Sequence, residues 1–209
     1  DFIALAEESG QILALTACVL ETVCSDLARW RNAGQTVVPV SVNLASPSFS
    51  SDALPAQLTD MVKRHGLTPA ALVLEVTESI LMADIDRVVV RLEGLRALGF
   101  SVSLDDFGTG YSSLSYLKRF PIDELKIDRT FVTDAWRGGR DGAIAASIIA
   151  LGREFGLRVV AEGVETPEQA QHMVKMGCVY QQGFLFSRPV PADEFARLLD
   201  KTSLRDDDA

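Results

Sequence analysis

Histidine is almost missing from this chain. His65 and His172 are the only two in 209 residues, and both fall in stretches that read as helix. A zinc hydrolase or a His-Asp phosphohydrolase needs imidazoles grouped at ligand spacing, so both classes fall away. Cysteine is scarce too: Cys18, Cys24 and Cys178 form no CxxC pair and no finger spacing. They read as small apolar residues in a reducing compartment. Basic residues are in deficit, with 20 Lys and Arg against 29 Asp and Glu and a formal charge of −9. A DNA or RNA polymer gripped through its phosphates needs a Lys/Arg stripe, so that class of partner is excluded. If a ligand carries phosphate, bound metal ions have to supply the positive charge locally. There is no apolar run of membrane-spanning length and no signal peptide. A cytoplasmic location is therefore expected, for the chain alone or as the cytoplasmic part of a larger, membrane-attached protein. The chain opens on Asp1 rather than Met, and is expected to be a piece of something longer.

What is present is a rhythm. Ile12, Leu15, Val19, Val23, Leu27 and Trp30 recur at three- and four-residue steps and predict one helical stripe. Val88, Leu92, Leu95 and Leu98 predict a second, and Ile144, Ile148, Leu151 and Phe155 a third. Gly34, Gly66, Gly99, Gly156 and Gly177 each stand where an amphipathic segment gives way to an apolar run. Glycine enters the left-handed conformation that closes a helix without a Cβ penalty, so these are stop signals. Thr166-Pro167-Glu168-Gln169 is a start signal, with a capping Thr, Pro in the first turn and a Gln that reaches back.

After the stops come runs rich in Val, Ile and Leu, which predict strands near Val37–Leu44, Leu72–Val76, Val102–Asp105, Leu125–Ile127, Val159–Ala161 and Val179–Gln181. Apolar strands alternating with helices imply a parallel sheet buried on both faces. No glycine-rich dinucleotide fingerprint follows an early strand, and the units repeat steadily. A TIM-like (β/α)8 barrel is therefore preferred to an open doubly wound sheet. The first recognisable element, from Phe2, is a helix, so the barrel is expected to be seen without its first two strands. The domain is expected over residues 1–200, followed by an acidic tail at 201–209.

In such barrels the active site lies at the C-terminal ends of the strands. That position is filled by Asn43, Glu75, Asp105 with Asp106, Lys126 with Asp128, Glu162, and Gln182. Converging carboxylates repel one another unless a cation neutralises them. Oxygen-only ligands select hard ions, Mg2+ or Mn2+. The adjacent aspartates suit a pair of ions clamping the two oxygens of a phosphoryl displacement, and Lys126 suits orienting a water or balancing phosphate charge. Structural ion pairing at a barrel rim is the competing explanation of the whole set. Glu78, three residues after Glu75, anchors the adjacent loop if the strand has ended by then. The Gly108-Thr109-Gly110 turn is a weak nucleotide signal and reads better as a tight turn.

Together these segments resemble a family. Ser41-Val42-Asn43-Leu44, Leu74-Glu75-Val76-Thr77-Glu78-Ser79, Asp105 to Leu114 (DDFGTGYSSL), Lys126-Ile127-Asp128, Ala161-Glu162-Gly163-Val164-Glu165 and Gln182-Gly183-Phe184 are similar, in order, to the signatures of EAL-type cyclic di-GMP phosphodiesterases. The resemblance implies hydrolysis of cyclic di-GMP to linear pGpG with two ions. Asn43, Glu75 and Asp105 would hold one, and Asp105, Asp106 and Glu162 the other. Glu162 would also act as base, Lys126 would orient the water, and Gln182 would line the pocket. Asp128 and Glu165 would support the site, and Glu78 would brace the DDFGTGYSSL loop. It further implies a homodimer through that loop region and an upstream sensory or GGDEF domain. The Glu-x-Leu-x-Arg segment that names the family is absent here and is expected upstream of Phe2. Two other functions compete: a catalytically silent cyclic di-GMP receptor or interaction module, and a metal-dependent barrel enzyme acting on another phosphoester or a carboxylate.

Overall fold

A computed structural model describes residues 2–82, 84–108, 117–137 and 139–203. In chain order these form α1 (Phe2–Glu8), α2 (Ile12–Asn32), β1 (Val40–Asn43), α3 (Ser46–Ser50), α4 (Leu54–Arg64), β2 (Leu72–Thr77), α5 (Glu78–Met82), α6 (Ile85–Ala97), β3 (Ser101–Phe107), β4 (Glu124–Ile127), α7 (Arg129–Thr133), α8 (Arg140–Glu154), β5 (Arg158–Ala161), α9 (Pro167–Lys175), β6 (Tyr180–Gln181) and α10 (Ala192–Ser203). Short 3-10 turns at Pro69–Ala71 and Ala135–Arg137 complete the set. The strand order in the sheet is the chain order, β1 to β6. Among the described residues no helix is long and apolar enough to cross a membrane.

The chain divides into two compact units, and the division falls within β2, between Leu74 and Glu75. The first holds residues 1–74, 98–100 and 189–209. Its core gathers Leu20, Cys24, Leu27 and Trp30 of α2 with Phe49 of α3 and Leu58 and Val62 of α4. Trp30 packs on Phe195 of α10 with ring centroids 5.7 Å apart. β1 is shorter than the run from Val37 predicts. Pro39 precedes it, and proline has no N–H for a ladder.

The buried face of α2 also differs from the predicted stripe. Ile12, Leu27 and Trp30 are buried as expected, but Thr16, Leu20 and Cys24 fill the middle of that face, while Val19 is exposed. Two apolar stripes run along this helix, and polarity misdirects the choice between them. Thr16 is tolerable inside because its hydroxyl donates to the Ile12 carbonyl at 2.9 Å and accepts from Ser48 at 3.1 Å.

The second unit holds residues 75–97 and 101–188. Its β3, β4, β5 and β6 pair in parallel. All four residues of β4 are buried, as expected of a parallel strand covered on both faces. On α6, Val88, Leu92 and Leu95 are buried, whereas Leu98 lies beyond the helix and is exposed. On α8, the packed face is Ala145, Ile148, Ile149 and Gly152, one step round from the predicted stripe, and Phe155 is exposed. Gly152 explains the shift. A Cβ there would meet a Val159 methyl at 2.2 Å, so α8 turns its least bulky residue to β5.

All five predicted stop glycines have positive φ, from 64° at Gly66 to 94° at Gly177. Thr166 and Gln169 form the predicted capping box at the start of α9.

Candidate active site

Strand alternation and register bring the chemistry together in the second unit. Ser103 stands opposite Glu124, and Glu124 opposite Arg158. Partners in register share a face, and residues two further along return to it. Two steps beyond Ser103 is Asp105, two beyond Glu124 is Lys126, and two beyond Val160, the partner of Lys126, is Glu162. One face thus carries Asp105, Lys126 and Glu162 as a polar layer. The row beneath, Ser103, Glu124 and Arg158, is joined by a 2.9 Å hydrogen bond from the Ser103 hydroxyl to Glu124 and a 3.4 Å ion pair between Glu124 and Arg158. Glu124 is a buried carboxylate that the apolar look of its segment conceals.

Two adjacent aspartates in a regular strand point to opposite faces. Here they do not, because β3 carries a bulge. Leu104 pairs with Leu125, but the next pairing is Phe107 with Ile127, so β3 holds one more residue than β4 over the same span. Asp106 takes up the extra residue at φ 55°, and its N–H donates to the Asp105 carboxylate at 3.0 Å. A bulge re-aims a side chain in this way, and aspartate tolerates the left-handed region better than most residues. As a result, one carboxylate oxygen from each of Asp105, Asp106 and Glu162 lies within 4.8 Å of the others.

Lys126 sits among these groups and is 4 % exposed. Its Nζ is 2.6 Å from Glu162, 2.8 Å from Glu75 and 3.4 Å from Asp105. Burial alone would lower its pKa, but hydrogen bonds to Glu162 and Glu75 override that and hold it protonated. The Glu162 carboxyl is pushed up to about 6, by burial first and then by Asp105 and Glu75, against the downward pull of Lys126. Asp106 is raised by burial first and then by Asp105 and Asp128. A single ammonium among these carboxylates leaves negative charge over, and the oxygen-only donor set fits a hard divalent cation.

The surrounding residues fall as follows. β2 ends at Thr77, so Glu78 opens α5; it is buried, and its carboxylate accepts from the Gly108 N–H at 3.4 Å. Asp128 caps α7, accepting the Thr130 N–H at 2.9 Å. Glu165 is exposed, and its N–H donates to Gln169 at 2.7 Å. Gln182 is exposed just past β6, held by its N–H to the Ala161 carbonyl at 2.8 Å. Asn43 ends β1 in the first unit, with an exposed side chain. Thr109 to Leu114, the rest of the loop expected to form dimer contacts, lie outside the described residues. His65 caps α4, where it meets Glu21 at 2.7 Å, and His172 lies in α9.

The role of the glycines in this region is missing from the sequence reading. A Cβ on Gly163 would stand 2.4 Å from Cβ of Arg129, and one on Gly183 would stand 2.1 Å from the Val164 carbonyl oxygen. Both follow a polar strand-end residue directly, which is the signal that would have found them.

Comparison with known proteins agrees with this geometry. The sequence model of the EAL domain matches residues 1–189. The bifunctional diguanylate cyclase/cyclic di-GMP phosphodiesterase MucR of Pseudomonas aeruginosa is 45% identical over 92% of this chain and 28% of its own length. The cyclic di-GMP phosphodiesterase NbdA of the same organism is 45% identical over 94% of this chain and 25% of its own. The chain thus spans about a quarter of the length of these curated relatives. Among solved structures, the PaMucR phosphodiesterase in complex with c-di-GMP superposes with a TM-score of 0.88 at 44% identity, covering 93% of this chain and 78% of that one. Klebsiella pneumoniae BlrP1 with manganese and c-di-GMP gives 0.79 at 32% identity, covering 90% and 47%.

Proposed function

The chain belongs to the EAL domain family, and from that premise we propose that it is a metal-dependent phosphodiesterase converting cyclic di-GMP to linear pGpG. The barrel expected from the strand–helix repeat belongs to the same reading. The observation that carries the proposal is the convergence of Asp105, Asp106 and Glu162 within 4.8 Å, beside a buried Lys126. Asp105, Asp106 and Glu162 would hold one divalent ion, Mg2+ or Mn2+, and Asp105 with Glu75 would hold a second. Bound there, such ions supply the positive charge that a phosphodiester needs in an otherwise acidic site.

The chain's own residues do the rest. Glu162, raised by burial, is poised to accept a proton on its carboxylate from an attacking water. Lys126 stays protonated and donates to the groups around it, holding Glu75 and Glu162 in place. Gln182 offers an amide to the substrate at the rim. Glu78 fixes the start of the loop that follows β3 through Gly108, and Asp128 fixes the start of α7. Glu165 supports the turn before α9.

The test is chromatographic detection of pGpG from cyclic di-GMP in Mg2+ or Mn2+, with and without chelator. Formation of pGpG that stops on chelation is expected. Binding without turnover in either ion would replace the enzyme with a silent receptor, and turnover in the presence of chelator would remove the metal from the reading.

A further inference from the structure

We propose that Arg129 is a specificity-determining residue of this site, placed to meet the second phosphodiester of a cyclic dinucleotide; the inference rests on the phosphodiesterase reading. β4, which carries Lys126, leads straight into α7, and α7 begins at Arg129. The carboxylate of Asp128 takes the Thr130 N–H at 2.9 Å, which fixes where the helix starts and so where Arg129 leaves the backbone. Its stem lies on Gly163, the residue directly after Glu162. A Cβ at Gly163 would meet Cβ of Arg129 at 2.4 Å and its Cδ at 3.6 Å. Gly163 also has φ 66°, a conformation that side chains other than glycine's disfavour. Glycine at 163 thus leaves the room that the arginine stem occupies, and the touching pair follows Asp128 on one strand end and Glu162 on the other.

The charge on Arg129 is available. The residue is exposed, and no carboxylate among the described residues pairs with it. Lys126, by contrast, is committed to three carboxylates. A cyclic dinucleotide carries two phosphodiesters on one ring. Asp105, Asp106 and Glu162 would hold the ion that neutralises the one that reacts, which leaves the other anionic at the rim of an acidic site. A guanidinium offers paired, planar donors that match two phosphate oxygens. Such a contact is made equally before and during the chemical step, so it acts on binding and selectivity rather than on turnover.

The test uses the full-length protein in Mn2+ with two diesters: cyclic di-GMP, and bis(p-nitrophenyl) phosphate, which carries a single charge. Arg129→Ala is expected to raise KM for cyclic di-GMP about tenfold, the scale of one charge-assisted contact, with kcat within about twofold of the parent. Its kcat/KM on bis(p-nitrophenyl) phosphate is expected to stay unchanged, and Arg129→Lys to restore part of the affinity. In a Glu162→Gln background, where turnover is removed, titration of cyclic di-GMP is expected to show the same tenfold loss in Kd. An unchanged KM and Kd would overturn the assignment, and so would an equal loss on both diesters. If the parent binds cyclic di-GMP but does not cleave it, the phosphodiesterase reading falls, and the Kd comparison still decides Arg129. If the parent does not bind it at all, both fall.

Discussion

Lys126 is the residue on which the metal-free site depends. It is nearly fully buried and contacts Glu75, Asp105 and Glu162. Removing one partner from a buried ionic cluster leaves charge uncompensated, at a cost of about 3–5 kcal/mol. Lys126→Met is therefore expected to destabilise the chelated protein on that scale. Mn2+ should return part of the loss, because a bound cation replaces the missing charge; urea melts with and without Mn2+ check this. An equal loss in both conditions would mean that no bound ion takes over the charge of Lys126 among these carboxylates. Glu162→Gln separates the chemistry from the packing. The amide keeps the shape but accepts no proton, so pGpG formation is expected to fall by at least about a hundredfold, the usual scale of general-base catalysis. Cyclic di-GMP binding should fall less. The identities of these residues were readable because they stand at strand ends. Their meeting was implied by the family resemblance and not by spacing, since Asp105 and Asp106 converge only through the bulge in β3, and no spacing rule announces one extra residue in a strand.

At the level of elements, α9 is tied to its surroundings by one buried side chain. The Oε1 of Gln169 accepts the Glu165 N–H at 2.7 Å and the Thr166 N–H at 3.0 Å, while its amide donates to the Thr133 carbonyl at 3.0 Å. The sequence shows the capping box but not the third bond, which joins α9 to the end of α7. Thr166→Ala removes one cap and is expected to cost about 1 kcal/mol. Gln169→Ala removes a buried side chain and leaves more than one part-buried backbone group without its partner, and is expected to cost at least about 2 kcal/mol. Chemical denaturation of both variants checks the order, and equal costs would show that the Gln169 side-chain bonds together contribute no more than the Thr166 cap. Helix ends were legible because glycine and the capping box act within a few residues. Helix faces were less so. On α2, Thr16 and Cys24 replace expected apolar positions, and on α8 Gly152 decides which face meets β5. Those choices depend on a neighbour in another element, Ser48 of α3 for Thr16 and Val159 of β5 for Gly152.

Across the whole molecule, an excess of acid over base makes ion binding a matter of global stability. The formal charge is −9, and three carboxylates share one corner of the second unit. An ion that binds only the folded state stabilises it by RT ln(1 + [L]/Kd), about 2.7 kcal/mol at a hundred times Kd. In a protein of this size, 1 kcal/mol moves Tm by about 2–4 °C. Asp105→Asn then makes opposite predictions in the two conditions. Without metal, it removes one of several repelling carboxylates while Lys126 keeps Glu75 and Glu162, so Tm is expected to hold or rise. With saturating Mn2+, it would remove one of the proposed ligands, so Tm is expected to fall several degrees below the parent. The check is a pair of thermal melts on parent and variant, one in chelator and one in Mn2+. A structural ion-pair cluster would give the same sign in both, because Asp105 would then matter only as a partner of Lys126. A crossing of the two comparisons is what a metal site requires, and it reads the site without depending on turnover.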